Sequence, residues 1–433
     1  MQLIPRRRST DRAKLAGKER NSFFNGSLAL PLAGVLAIGL LSSPARAETT
    51  SQPEALQAFM QCKDTLQQAA IDKGIPADVA KAVFAKINYQ PRVVELDRSQ
   101  PEFVQTFPGY FTKRVNDWRI NKGRQYAVEH QELLSELVKT YGIPAQYLLA
   151  FWGLETNFGG YKGTMRVLDS LATLACDPRR STFFTKELLT AVELLDQQSL
   201  DQDKMVGSWA GAMGHTQFMP SAYANYAVDG DGDGQINLWD SEADALTSAA
   251  NFLSQLGWQP GFRWGREVKL PAGFDFSQLG YSNRQSVTAW HELGVMRANG
   301  ESLGNSDMSA YLVMPAGHQG PTFLAYPNFR VIMRWNNSEF YAIAVGRLAD
   351  RIAGDTGLVA ELPPLPNYRR DDIKALQQTL NSQGIEVGGA DGILGPATRE
   401  GIREFQRRND MVADGFPSLA VMEALGINIA PAA

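Results

Sequence analysis

The stretch PAQYLLAFWGLETNF, residues 144–158, decides how the chain is read. Gly142 and Pro144 break the helical pattern that runs before it, and proline suits the first turn of a new helix. Within it, Leu148, Phe151, Trp152 and Glu155 recur at i, i+3, i+4 and i+7. That spacing predicts a helix with Glu155 on its apolar face, in the last turn before Asn157, Gly159 and Gly160 end it. A carboxyl group placed there is desolvated, which disfavours the anion and raises the pKa. An acid that must hold a proton near neutral pH needs this property. Taken alone, the segment also fits a glutamate satisfied by a buried arginine or a backbone amide.

Outward from this helix the chain is mostly helical. Apolar residues recur at helical spacing over residues 53–87 (Leu56, Phe59, Met60, Val79, Val83, Phe84) and over 114–141, 183–195, 242–256 and 339–352. Residues 266–314 are mixed, with short β-like runs such as Glu267 to Leu270. A second notable stretch, GSWAGAMGHTQFMPS at 207–221, is rich in small residues that let a ligand approach the backbone. Ser208 and Gln217 add hydrogen-bonding groups, and Met213 and Met219 add adaptable apolar surface. Such a surface suits an acetylated sugar; a tightly packed loop between helices is the alternative.

The two stretches together, WGLETNFGG at 152–160 and GSWAGAMGHTQFMPS at 207–221, resemble the lytic murein transglycosylase B family. The resemblance spans roughly residues 53–352. It implies a mainly α protein with a lysozyme-like α+β catalytic core within a helical domain. It implies cleavage of the β-1,4 bond between N-acetylmuramic acid and N-acetylglucosamine in peptidoglycan, leaving 1,6-anhydromuramoyl ends. Glu155 matches the family's catalytic glutamate. Ser208, Gln217 and Met219 match its cleft residues, and Arg179 and Arg180 a paired-arginine segment lining the cleft. Trp335, Asn336 and Tyr341 match a late aromatic motif, with Trp335 where tyrosine is familiar. Tyr110 is matched on less distinctive surroundings. Thr156 follows the glutamate where many relatives carry serine.

The residues also bear on mechanism directly. Glycosidases ordinarily place one carboxylate on each side of the scissile bond. Asp169 and Asp177 are near in sequence but read equally well as turn or cap residues. One acid suffices if the sugar supplies its own nucleophile. A muramidase that uses water and a non-catalytic wall-binding protein are the competing readings.

Residues 229–240, DGDGDGQINLWD, fit the twelve-residue EF-hand pattern. Asp229, Asp231, Asp233 and Asp240 take positions 1, 3, 5 and 12, and Gln235 offers its carbonyl from position 7. Four carboxylates this close repel one another without a cation, so structural Ca2+ is expected here, and no organic cofactor. The four histidines show no zinc spacing.

At the N-terminus a basic segment precedes an apolar run over 28–41 and then Ala45-Arg46-Ala47, a signal-peptide pattern with cleavage after Ala47. A retained membrane anchor is the alternative. Residues 1–47 hold 8 Lys and Arg and 2 Asp and Glu, so their loss takes the formal charge from −4 to −10. That balance disfavours nucleic acid and anionic membrane; the signal-peptide pattern implies export to the periplasm, and the family resemblance implies peptidoglycan glycan strands as the partner. Export permits a disulfide between Cys62 and Cys176; two small buried hydrophobes is an equal reading.

The proline-rich run over 362–366 favours extended backbone. Beyond it, Ile373, Leu376 and Leu380, then Ile402 and Phe405, then Leu419, Met422 and Leu425 give three helical faces. Asp391-Gly392 and Asp414-Gly415 mark turns between them. This unit resembles the small helical peptidoglycan-binding module of wall enzymes. The expected divisions are a signal peptide at 1–47, a catalytic domain at 48–357, a linker at 358–367 and a three-helix module at 368–426, joined by the stiff tether.

Overall fold

The computed structural model describes residues 52–99, 106–198, 200–365 and 368–429. The expected signal peptide lies outside the described residues.

The helix Ala145–Thr156 is the axis of the catalytic region. Every residue from Tyr147 to Leu154 is buried, so the helix is apolar on all sides and runs through the interior. The sequence spacing suggested one apolar stripe, but packing surrounds the helix completely. Its start follows from Gly142, whose left-handed φ of 69° stops the preceding helix Gln131–Tyr141. Its end follows from Asn157 and Phe158, both left-handed at φ 52° and 59°.

Two apolar cores flank this axis. One gathers Phe107, Phe111, Leu148, Phe151 and Trp152 with Leu246, Trp264, Phe329 and Ile343. The other gathers Phe59, Phe84, Val167, Leu171, Leu188 and Met213 with Leu238. Met213 is therefore core rather than cleft surface, fully buried at 0% exposure. A short antiparallel pair, Met165–Arg166 with Val206–Gly207, lies beside the second core.

The region with mixed sequence signals is a five-stranded antiparallel sheet. Its order is Gln285–Ser286, Ser309–Val313, Thr322–Ala325, Gly265–Lys269, Met296–Arg297. Register pairs Val313 with Phe323 and Val268 with Thr322. Trp264 leaves the sheet for the helical core, where its ring lies so close to Gly346 that a Cβ there would stand 2.2 Å away. The chain then forms helices Pro327–Trp335 and Glu339–Ile352, the second capped by Ser338 on Tyr341 N–H.

Cys62 and Cys176 are disulfide-bonded across 114 residues. The bridge ties the first helix, Gln52–Asp72, to the end of Val167–Ala175. Replacing both cysteines with serine should lower the unfolding free energy by about 2–5 kcal/mol, seen as an earlier denaturant midpoint. An unchanged midpoint would deny the bridge a stabilising role.

The C-terminal unit is three helices, Arg370–Ser382, Pro396–Arg408 and Leu419–Ala424, around Leu376, Leu380, Ile402, Phe405 and Met422. Gln377 and Gln406 are buried inside it, where they bridge the turns: Gln377 Oε1 accepts Gly392 N–H at 2.8 Å and Gln406 Oε1 accepts Gly415 N–H at 2.8 Å. This unit also touches the residues before the tether. His318 N–H donates to Asp414 at 3.0 Å, its ring Nδ1 lies 2.7 Å from the same oxygen, and Phe416 packs on Gly317.

Candidate active site

Glu155 stands in the last turn of the buried helix and is itself half-buried. Trp335 Nε1–H donates to its Oε1 at 3.0 Å, and the Tyr341 hydroxyl donates to the same oxygen. Trp335 ends one late helix and Tyr341 lies in the first turn of the next, 180 and 186 residues away. No described residue bonds Oε2. Burial pushes the Glu155 pKa up to about 7, against the opposing pull of Tyr341, Trp335 and the Arg114 guanidinium. Desolvation outweighs three stabilising contacts. The result is a carboxyl that holds a proton near neutral pH and carries it on Oε2, since Oε1 is occupied by donors.

Aromatic packing fixes those donors. The Trp335 ring lies 4.5 Å from Phe151, 5.1 Å from Phe252 and 5.4 Å from Phe218. Tyr341 is buried with its ring 6.1 Å from Phe151. Tyr110 joins the site from the helix Phe107–Arg114, close enough that Glu155 helps to raise its pKa, though burial is the larger cause. Arg114 stacks over the Tyr110 ring at 5.3 Å. Sequence reasoning passed over Arg114, which has no motif around it; its place shows only once this helix packs beside Glu155. Asn336 is exposed at the end of Pro327–Trp335.

The loop over 207–221 is tied to itself. Ser208 Oγ accepts Ala212 N–H at 3.0 Å, and Gln217 Nε2 donates to Gly214 and Lys162 carbonyls at 3.0 and 3.1 Å. Gln217 holds a left-handed φ of 51° without being glycine, a strained conformation that the surrounding fold must impose. Met219 precedes the helix Pro220–Tyr226 and lies partly buried on the second core. His215, also missed, lies at the centre of this loop. Burial, with the nearby Lys162 cation, pushes its pKa down to about 4, so the ring is neutral and its Nδ1 accepts from Trp152 Nε1–H at 2.9 Å.

Arg179 and Arg180 are engaged elsewhere. Both grip the buried Asp97 carboxylate, and Arg180 lies over the Phe184 ring at 5.0 Å. Among their described contacts none is with Glu155, Trp335 or Tyr341.

In the acidic loop, carboxylate oxygens of Asp229, Asp231 and Asp244 lie within 4.8 Å of one another. Asp244 is outside the twelve-residue frame, in the first turn of Glu242–Gln255, and buried. Asp233 and Asp240 are not in that group: Asp233 accepts Gln235 N–H at 2.7 Å, and Asp240 lies 3.3 Å from the Asn237 amide. Three hard carboxylate oxygens, two from a glycine-rich turn with Gly232 and Gly234 at φ 77° and 89° and one from the helix after it, fit a calcium-type ion.

Known proteins resemble the chain along nearly all of this framework. The family described as Transglycosylase SLT domain matches residues 58–350, and a peptidoglycan binding domain matches 369–425. The membrane-bound lytic murein transglycosylase B of Escherichia coli (strain K12) is 34% identical over 250 residues, which cover 56% of this chain and 66% of that one. The chain thus spans slightly less than two thirds of that relative. SltB3 from Pseudomonas aeruginosa, solved in complex with NAG-anhNAM-pentapeptide, is 41% identical with a TM-score of 0.82, covering 86% of this chain and all of that one. The Escherichia coli lytic transglycosylase Slt35, solved in complex with calcium, is 29% identical with a TM-score of 0.58, covering 70% and 95%. The mainly helical, lysozyme-like fold and the helical C-terminal module are those of these neighbours.

Proposed function

The chain belongs to the transglycosylase SLT domain family of peptidoglycan-cutting enzymes, and from that footing we propose that it cleaves the β-1,4 bond between N-acetylmuramic acid and N-acetylglucosamine with Glu155 as its one acid and base. The observation that carries this reading is a carboxyl whose pKa burial pushes up to about 7, with two donors on one oxygen and no second carboxylate among its described bonding partners.

Oε2 of Glu155 gives its proton to the glycosidic oxygen as the C1–O4 bond breaks. The anion that forms keeps both donors on Oε1, and the Arg114 cation lies near; each favours the charge that develops. The substrate's own N-acetyl group stabilises the electron-poor C1. The Glu155 carboxylate then takes the proton of the C6 hydroxyl, whose oxygen closes on C1. The proton returns to Glu155, a 1,6-anhydro end forms and no water is consumed. Tyr110, Ser208, Gln217, Met219, Asn336 and Tyr341 line the sugar path. Arg179 and Arg180 shape it from a distance through Asp97.

Digestion of sacculi in heavy-oxygen water tests the chemistry. The released muropeptides should weigh about one water less than muramidase products, with no heavy label at the new muramic acid end. Label at that end, with a reducing sugar formed, moves the enzyme to the water-using muramidase reading.

The chain acts in the periplasm after loss of residues 1–47, with the catalytic domain at 48–357, the linker at 358–367 and the module at 368–426. The module raises local concentration on the wall. Asp229, Asp231 and Asp244 hold a structural calcium ion, which takes no part in the bond cleavage.

A further inference from the structure

The acidic loop and the catalytic helix meet at His215. Its Nδ1 accepts from Trp152 Nε1–H at 2.9 Å, its carbonyl accepts the Thr156 hydroxyl at 2.8 Å, and its N–H donates to the Leu238 carbonyl at 2.8 Å. Trp152 and Thr156 bracket Glu155 on one helix, and Leu238 lies inside the acidic loop. The joint has no slack. A Cβ on Gly159 would stand 2.3 Å from the His215 ring, and one on Gly214 would stand 2.3 Å from the Leu238 carbonyl. A second tie runs in parallel: Lys162 Nζ donates to the Trp239 carbonyl at 2.5 Å, and the Lys162 carbonyl accepts from Gln217 at 3.1 Å.

We propose that His215 is a positioning residue that couples cation occupancy of the acidic loop to glycan binding in the cleft. The coupling rests on the glycan-cleaving reading above. Clustered carboxylates repel one another and loosen the turn that carries them. A divalent cation draws them together and fixes the Leu238 and Trp239 carbonyls. Through His215 that fixity reaches Trp152 and Thr156 on either side of Glu155, and through Lys162 it reaches Gln217. Two ligands that favour the same arrangement bind cooperatively, and by the same factor in both directions.

The test uses the full-length protein carrying Glu155→Gln, which prevents turnover, with the N-acetylglucosamine tetramer as probe. Calcium, compared with chelator, should tighten tetramer binding by about 5- to 10-fold, and tetramer should tighten calcium binding equally. Adding His215→Ala removes the bond to Trp152 but keeps the main-chain ties and the Lys162 route, so it should keep the calcium-driven rise in melting temperature and clearly weaken the calcium-driven tightening of tetramer binding. His215→Asn keeps an acceptor for Trp152 and should restore part of the coupling; it also guards against an alanine variant that fails to fold. A tetramer Kd indifferent to calcium in the parent, alongside a normal calcium-driven melting rise, overturns the coupling alone. So does full coupling in both His215 variants. If calcium changes neither quantity, the loop takes no cation and the coupling falls with it. If the tetramer binds under no condition, the glycan reading itself fails, and the coupling with it.

Discussion

Glu155→Gln should lower glycan cleavage by roughly 10²–10⁴-fold while leaving the fold intact. Gln keeps the shape and an acceptor for Trp335 and Tyr341 but has no proton to give and no carboxylate to take one back. Stability separates this loss from simple damage. Burial raises the Glu155 pKa from 4.5 to about 7, so the folded state prefers the protonated form. The group's contribution is whole below about pH 4.5 and is lost as pH rises to about 7, because the cleft must then accommodate an anion. Wild type and variant should therefore melt alike in acid, and the variant should melt higher above pH 7. A variant that melts lower at every pH, or that keeps more than about a tenth of wild-type cleavage, would assign the acid role elsewhere.

The pH profile of cleavage should fall on its alkaline side by about tenfold per pH unit once pH passes 7, because only the protonated form of Glu155 starts the reaction. Tyr341→Phe removes the bond that most favours the carboxylate. It should lower the rate and also move this alkaline limb to higher pH. A loss of rate with the limb unmoved would make Tyr341 a packing residue. A limb that moves down would reverse the assigned direction of its bond with Glu155.

How much of this was readable beforehand follows from the range over which each residue acts. Glu155 was legible because its helix is continuous and its neighbours Leu148, Phe151 and Trp152 are local in sequence. Its raised pKa was legible for the same reason, although the helix proved to be enclosed on every side. Trp335 and Tyr341 lie 180 and 186 residues on, and only family resemblance linked them to Glu155. Arg114 and His215 carry no motif and gain their places through packing between distant segments. Thr156 looked like a mild departure from serine; its hydroxyl in fact holds the His215 carbonyl and caps Gly159 N–H. The acidic loop was recognised as a unit, but its third gathered carboxylate is Asp244, supplied by the helix that follows the twelve-residue frame. The paired arginines were placed in the cleft by likeness of sequence, while their described charge partner is Asp97. The strands between 265 and 325 were too short to give a clear alternation, and the tight contact between Trp264 and Gly346 had no local signature at all.

The two donors that share Oε1 bear on how the enzyme is best inhibited. With that oxygen occupied, charge on Glu155 is exposed to the cleft through Oε2. A sugar mimic with a protonated amine at the position of C1 gains most from an ionised partner, so it should bind most tightly on the alkaline side, where turnover fades. A neutral mimic that accepts a hydrogen bond should show the opposite preference. Compounds of the two kinds ranked at a single pH would thus be ordered by the assay buffer, and the pH at which each affinity bends would report the ionisation of Glu155 in the intact protein.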